Sequence, residues 1–317
     1  MDDRRIPGRM TRRLFSGLLA GTAASLSWGR AGWSQGGSRI MHVAISAETL
    51  AGANVNDARA AYKVWSKQVA SSLGNSTAEL VPDVFIPTDQ MVQMVRQGSV
   101  DMFGITAWEY AKLQDFVDPS TILLDESFVN GLEYVLLVHN AGPCKKLSDL
   151  RGRQLAVYHH RDMTLFPAWM GNLLAAENLP RMEAFFCQQI VRESLTQTVL
   201  PVFFRRMDAA VVIKSSFATA VELNPQLGRE LRVLATSPPV IPIILCFRKN
   251  ASPEGKRELI ANINRTQSLP AGQQIEALYQ FKRLVMLPSN CMNATMEMLR
   301  QYERNMSRSP GARKDHS

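Results

Sequence analysis

Three stretches of this chain concentrate groups able to hold a small molecule. The first, His159-His160-Arg161-Asp162-Met163-Thr164, sets two imidazoles, a guanidinium, a carboxylate and a hydroxyl side by side. The second, Lys214-Ser215-Ser216, follows the apolar run Ala209 to Ile213. A cation beside the free N–H groups of a helix start favours a carboxylate or phosphate, the other reading being a solvated strand-end lysine. The third is Thr106, Trp108 and Tyr110. Trp108 and Tyr110 stand two apart and cannot share one helix face, so one faces a ligand and the other the core. Glu109 between them reads as a solvated acid at a helix start. Asp208 reads as a turn former, and Arg205-Arg206 as a surface pair.

The same residues exclude several chemistries. Adjacent histidines without a spaced partner such as HExxH do not make a metal site, so no metal and no cofactor is expected. One of the pair lining a cleft would make binding sensitive to pH. The chain carries no GxSxG elbow, P-loop or GxGxxG, and no obvious nucleophile–base pair in sequence. A binding protein is expected rather than an enzyme.

The elements that must position these groups alternate between strand and helix. His42 to Ile45 is a buried strand, and Ser46 to Asn56 is a loop. A helix follows with Ala58, Tyr62, Trp65 and Val69 on one face, closed by Gly74. Val81 to Ile86 and Val100 to Ile105 are the next strands, separated by a short helix that Thr88 can cap. A helix starts near Ala107. The β-α-β-α-β order implies a parallel sheet covered by helices. Ligands of such sheets bind beyond the carboxyl ends of the strands, which draws attention to Ser46, Pro87 to Asp89 and Thr106 to Tyr110.

A second block repeats the pattern with strands Tyr134 to His139, Leu155 to Tyr158, Phe185 to Gln189 and Ala209 to Ile213. Helices run from Phe166 to Ala176, from Ser194 to Phe204, and from a cap at Ser215 or Ser216. Leu231 to Ala235 and Ile241 to Phe247 read as further strands. Ser252-Pro253-Glu254 starts a helix with a cap, an N1 proline and an acid in the first turn. Two more helices end the chain before a tail.

At 317 residues the chain can build two medium cores, and its 46% hydrophobic and 20% charged composition is that of a globular protein. The net charge of +8 does not indicate nucleic-acid binding. Arg4, Arg5, Arg9, Arg12, Arg13 and Arg30 crowd the first 34 residues against Asp2 and Asp3, so half of the charge sits there. Thr11-Arg12-Arg13-Leu14-Phe15 before the uncharged run GLLAGTAASLSWG resembles a twin-arginine export signal, with cleavage expected between 31 and 36. The start is Met1 or Met10. Such a leader implies export in folded form to the bacterial periplasm. No later segment reaches 18 uncharged apolar residues. Cys144, Cys187, Cys246 and Cys291 form no CxxC pair; one or two disulfides and free thiols both fit an oxidising compartment.

With these elements placed, three segments resemble the phosphonate/phosphite-type periplasmic solute-binding proteins of ABC transporters, the PhnD/SsuA/transferrin-like group. They are GSVDMFGITAWEYAKL (Gly98 to Leu113), KKLSDLRGRQLAVY (Lys145 to Tyr158) and MDAAVVIKSSF (Met207 to Phe217). Their order and spacing also match. The resemblance implies an α/β type II periplasmic binding protein fold, two α/β lobes joined by two crossing strands around a ligand cleft. Residues 1–35 would be the signal peptide, 36–130 plus 237–306 the first lobe, 131–236 the second and 307–317 a disordered tail. It implies a monomer that closes on a small polar, anionic ligand, phosphonate-like or a carboxylate, and hands it to a membrane permease. The alternative is a sensory binding protein that signals to a histidine kinase or diguanylate cyclase in the membrane. The ligand residues implied are Ser46, Thr106, Trp108, Tyr110, His159, Asp162, Thr164, Lys214 and Ser215. One departure matters: the family's Ser-Thr-Ser oxyanion turn is replaced by Asp162-Met163-Thr164. Asp162 would repel an anion or accept a bond from a cationic ligand, and only Thr164 keeps a hydroxyl.

Overall fold

The computed structural model describes residues 39–50, 55–72, 78–249, 253–266, 269–270, 272–273 and 283–308. All belong to one compact unit, Gly37–Ser317. The leader motif and the expected cleavage site lie outside the described residues.

The first block supplies β1 (Arg39–Ser46), α1 (Val55–Ser72), β2 (Ala78–Ile86), α2 (Thr88–Gln97), β3 (Met102–Thr106), α3 (Ala107–Leu113) and β4 (Val117–Asp125). The second supplies β5 (Tyr134–His139), β6 (Gln154–Tyr158), α4 (Phe166–Ala176), α5 (Met182–Phe185), β7 (Gln188–Arg192), α6 (Leu195–Phe203), β8 (Ala209–Ile213), α7 (Lys214–Leu223), α8 (Pro225–Glu230) and β9 (Leu231–Thr236). The chain then returns through β10 (Ile243–Arg248), α9 (Pro253–Thr266), β11 (Leu284–Leu287) and a C-terminal helix (Asn293–Arg308).

Two sheets result. One has the order β11-β4-β10-β3-β1-β2, the other β7-β6-β8-β5-β9. Each holds three parallel strands at one edge, β3-β1-β2 and β7-β6-β8, as the β-α-β pattern predicts, but neither is parallel throughout. In the first sheet β10 runs antiparallel to β3 and to β4, and β11 antiparallel to β4. In the second, β5 runs antiparallel to β8 and β9. Strands that enter a sheet from the other block arrive without a helical crossover, which removes the reason for parallel pairing. Burial is complete along the runs YVLLVH of β5, AAVVI of β8 and MFGIT of β3. Continuous apolar runs of this kind mark strands covered on both faces.

The chain crosses between the sheets twice, and the crossings touch. Leu132 and Val240 exchange backbone hydrogen bonds of 2.8 and 2.9 Å. The Tyr134 N–H donates to Ser237 Oγ at 2.8 Å. Gly131 has φ +71°, and a Cβ there would meet Pro239 Cβ at 2.8 Å and Val240 N at 2.9 Å. Glycine is required at this hinge both for its left-handed backbone and for the close approach.

The C-terminal helix reaches across to α4. Asn172 donates to the Met298 carbonyl at 2.8 Å, Asn305 donates to Asn172 at 2.9 Å, and Arg181 donates to the Met306 carbonyl at 2.6 Å. A Cβ on Gly171 would lie 2.5 Å from Tyr302, so the glycine lets the two helices close up. The helix runs through Arg308, two residues into the stretch expected as a tail. All four cysteines are free thiols: Cys144 and Cys246 are buried, Cys291 is half-buried and Cys187 is exposed. Among the described residues no helix is long and apolar enough to cross a membrane.

Candidate functional site

The carboxyl ends of β1, β2 and β3 lie side by side, and a single carboxylate ties them together. Ser46 ends β1 and donates to Glu109 Oε1 at 2.6 Å. Thr88, the first residue of α2, donates to the same oxygen at 2.8 Å. Thr106 caps α3, and its N–H and hydroxyl donate to Glu109 Oε2 at 2.9 and 3.0 Å. Glu109 is 1% exposed, so the expectation of a solvated acid is corrected. Its side chain turns back into the capping box and there meets two further hydroxyls. Four donors converge on one group, a pattern an ionised carboxylate accepts with both oxygens. Thr88 does not cap α2; the N-cap is Pro87, and its hydroxyl is used on Glu109. A bulge places it there. The pairing of β1 with β2 shifts between Ile45 and Ser46, and Phe85 takes a left-handed φ of +63°. Such bulges re-aim side chains at strand ends.

The second sheet presents the loop after β6 on the opposite side of a cavity of about 360 Å³. Ala47 and Glu48 wall it from the first block, and Tyr158, His159, His160 and Thr164 from the second. His159 Nδ1 lies 2.9 Å from Glu193, and His160 stacks on Tyr158 with ring centroids 5.3 Å apart. Arg161–Met163 is a 3-10 turn whose cap is the His160 ring, accepting from the Asp162 N–H at 3.3 Å. The Asp162 carboxylate is buried, 3.4 Å from His160 Nδ1 and 3.4 Å from Arg161 Nε. Burial holds its carboxyl above the usual range; Arg161 and His160 pull it down and Asp125 pushes it up, without reversing the shift. Its carbonyl accepts the Tyr134 hydroxyl at 2.6 Å. The Thr164 hydroxyl is buried with no hydrogen-bond partner among the described residues. The two blocks touch directly at this loop, where Trp108 Nε1 donates to the Thr164 carbonyl at 3.0 Å. Tyr302 meets the edge of the Trp108 ring at 5.8 Å.

The structure therefore brings Ser46, Thr106, Trp108, His159, Asp162 and Thr164 to one neighbourhood, in different roles. His159 and Thr164 wall the cavity. Ser46 and Thr106 are occupied by Glu109, and Trp108 bridges the blocks. Of the aromatic pair, Tyr110 is the core residue. It packs in the apolar cluster with Cys246 and Cys291, and burial pushes its phenol up to about 12. Lys214 and Ser215, also expected as ligand groups, are not among the residues brought together here. Both are exposed and neither walls the cavity. Lys214 pairs with Glu133 at 2.6 Å, and α7 begins at Lys214 itself with no side-chain cap. Its N–H is already taken by the Glu133 carbonyl at 2.8 Å. Sequence reasoning missed Glu48, Tyr158 and the central place of Glu109. The loop after β1 was marked by its position beyond a strand end, but nothing local singles out Glu48. Among the described residues no group of three or more histidine, cysteine or acidic side chains could hold a metal ion.

Two mixed sheets, a double crossing and a cavity where the strand ends face each other define the type II periplasmic binding protein fold. Solved structures share it. A Xanthomonas citri protein bound to chloride is 14% identical with a TM-score of 0.57, covering 85% of this chain and 99% of its own. A binding protein component of an ABC phosphonate transporter from Pseudomonas aeruginosa is 13% identical at 0.52, covering 87% and 90%. PhnD1 from Prochlorococcus marinus, in complex with methylphosphonate, is 13% identical at 0.51, covering 86% and 100%. At these identities the likeness is one of fold. No protein of curated function matches the sequence. The family model of the ABC transporter phosphonate periplasmic substrate-binding proteins matches residues 54–287. The chain belongs to this family, and its function is that of a periplasmic substrate-binding protein.

Proposed function

We propose that the cavity between Ala47-Glu48 and Tyr158–Thr164 captures a small oxyanion of the phosphonate class and that the two lobes close over it. The lobes would be 36–130 plus 237–306 and 131–236, working as a monomer. The observation that carries this reading is the Thr164 hydroxyl, buried without a partner at a wall that also holds His159 and His160. A buried unpaired hydroxyl is costly, and a ligand oxygen brought to it as the lobes close would satisfy it. A cavity of about 360 Å³ suits a small ligand. The occupied hydroxyls of Ser46 and Thr106 leave the donors to the second lobe. The family supports delivery to an ABC permease in place of catalysis, and the leader supports export before that delivery.

Calorimetry of the full chain against methylphosphonate, phosphite, phosphate and acetate tests this, with Trp108 emission as a second readout. Saturable binding of one oxyanion is expected. Trp108→Phe removes one hydrogen bond between the lobes, worth about 1 kcal/mol, so affinity should fall about fivefold. Absence of heat with all four, or full affinity retained in Thr164→Val, would refute the reading.

A further inference from the structure

We propose that the end of the second sheet away from the oxyanion cavity is a docking surface for an anionic phospholipid bilayer, with Phe204 entering the interface among arginines. The cavity residues His159, His160 and Thr164 follow the carboxyl end of β6. β8 runs parallel to β6, so the turn Phe204-Arg205-Arg206 before β8 lies at the opposite end. β5 runs antiparallel to β8, which brings His139 and the turn after it to that same end. Phe204, Arg205 and Arg229 line one groove there, and the Arg206 guanidinium lies 5.8 Å from the centre of the Phe204 ring. Lys145 joins them: its Nζ donates to the Asn140 carbonyl at 2.6 Å, and Asn140 donates to the Arg229 carbonyl.

The turn is the C-terminal cap of α6. The Arg206 N–H donates to the Pro201 carbonyl at 2.7 Å and the Arg205 N–H to the Val202 carbonyl at 3.0 Å. Arg205 takes φ +58°, a left-handed backbone for which glycine is the ordinary choice at this position of a cap. A charged side chain held there against that preference marks a place where the side chain is used. The charge at this end is unbalanced, which selects an anionic partner. Asp149 accepts from the Lys145 and Lys146 N–H groups at 2.8 and 3.0 Å, Asp208 faces Arg153 at 3.6 Å, and Glu230 faces His139 at 3.6 Å. Arg205, Arg206 and Arg229 make no ion pair among the described residues, and of the acids in these segments Glu222 alone stands against them without a partner of its own. Phe204 is 57% exposed, and Leu223, which closes α7 at the same end, is 84% exposed. An exposed phenyl ring with a guanidinium over it suits the boundary between headgroups and acyl chains, where the ring is buried and the cation meets phosphate. Lying opposite the cavity, this surface leaves ligand capture free and does not depend on the oxyanion reading.

The test is sedimentation of the full chain with vesicles of phosphatidylcholine alone or mixed equally with phosphatidylglycerol. Binding is expected to the mixed vesicles only, and to fade as salt rises. Arg205→Gly combined with Arg206→Ser removes two cations and should weaken binding about thirtyfold. Phe204→Ser should weaken it about tenfold. Arg205→Gly relieves the left-handed backbone, so its Tm should hold or rise, and binding lost in that background is not lost folding. The basic leader stays in every variant, so binding through it would survive these substitutions and count against the proposal. Absence of binding to the mixed vesicles, equal binding to both kinds, or full affinity in either variant overturns the proposal. Release of the chain by inorganic phosphate or polyglutamate at a charge concentration equal to that of the lipid overturns it too, since a soluble anion would then suffice without a bilayer. Calorimetry with the oxyanions reads the cavity and sedimentation reads this surface, so either reading can fail alone.

Discussion

Glu109 offers the sharpest test of how the first sheet organises its strand ends. In Glu109→Gln the Oε1 position survives as an acceptor for Ser46 and Thr88. An amide NH₂ then replaces Oε2 opposite the Thr106 N–H and hydroxyl, which sit at 2.9 and 3.0 Å. The Thr106 hydroxyl can rotate to accept from the amide; the backbone N–H cannot. One buried donor is left unpaired and the charge assistance is lost, which together cost about 2 kcal/mol. Glu109→Ala removes both oxygens, abandons Ser46 and Thr88 as well, and leaves a void, so its cost rises to about 4 kcal/mol. At roughly 2 °C per kcal/mol for a chain of this size, calorimetric Tm should fall by about 4 °C in the glutamine variant and about 8 °C in the alanine variant. A solvated acid would change Tm by no more than about 1 °C in either, on the scale of ordinary surface substitutions. Equal Tm values for wild type and Glu109→Gln, or a glutamine variant less stable than the alanine one, would refute the reasoning.

Two further outcomes follow from buried charges. The raised carboxyl of Asp162 means that the unfolded chain ionises before the folded one as pH rises, so this group lowers stability from the unfolded carboxylate range up to its folded value. Asp162→Asn removes that dependence; its Tm relative to wild type should be more favourable at pH 7 than at pH 3.5, and the opposite trend in a pH series of melts would contradict the burial argument. Lys256, 2% exposed, pairs with Asp118, 8% exposed, and so ties α9 to β4. Burial raises the Asp118 carboxyl, but the bonds from Lys256 and Ser120 outweigh it and hold it below the usual range. Lys256→Ala should cost about 3 kcal/mol at pH 7. The deficit should shrink as pH falls through the carboxylate range and Asp118 loses its charge in wild type too, and a pH-independent deficit in denaturant melts would show that packing, not charge, is lost.

The sequence by itself determined the elements whose signals are local. The apolar runs of β5 and β8 have no alternative to burial, and the capping sequence before α9 has one helical register. The segments Gly98 to Leu113, Lys145 to Tyr158 and Met207 to Phe217, by their order and spacing, were enough to identify the family. The sequence failed where a signal was diluted or depended on a distant partner. Asp118, Pro119 and Asp125 break up the apolar pattern of β4, and β11 is four residues long, so neither reads as a strand. The tertiary structure makes both strands, because β10 returns from the second block and pairs with β4, and β4 in turn carries β11. The same limit governs the site. That Thr106 begins a helix is legible three residues away, in Glu109. That Glu109 also collects Ser46 from 63 positions away and Thr88 from 21 is decided only when three parallel strands end together. The contrast between Trp108, which bridges the blocks, and Tyr110, which joins the core, has the same origin: spacing separates their faces, but only the packed neighbours determine which face meets the other lobe.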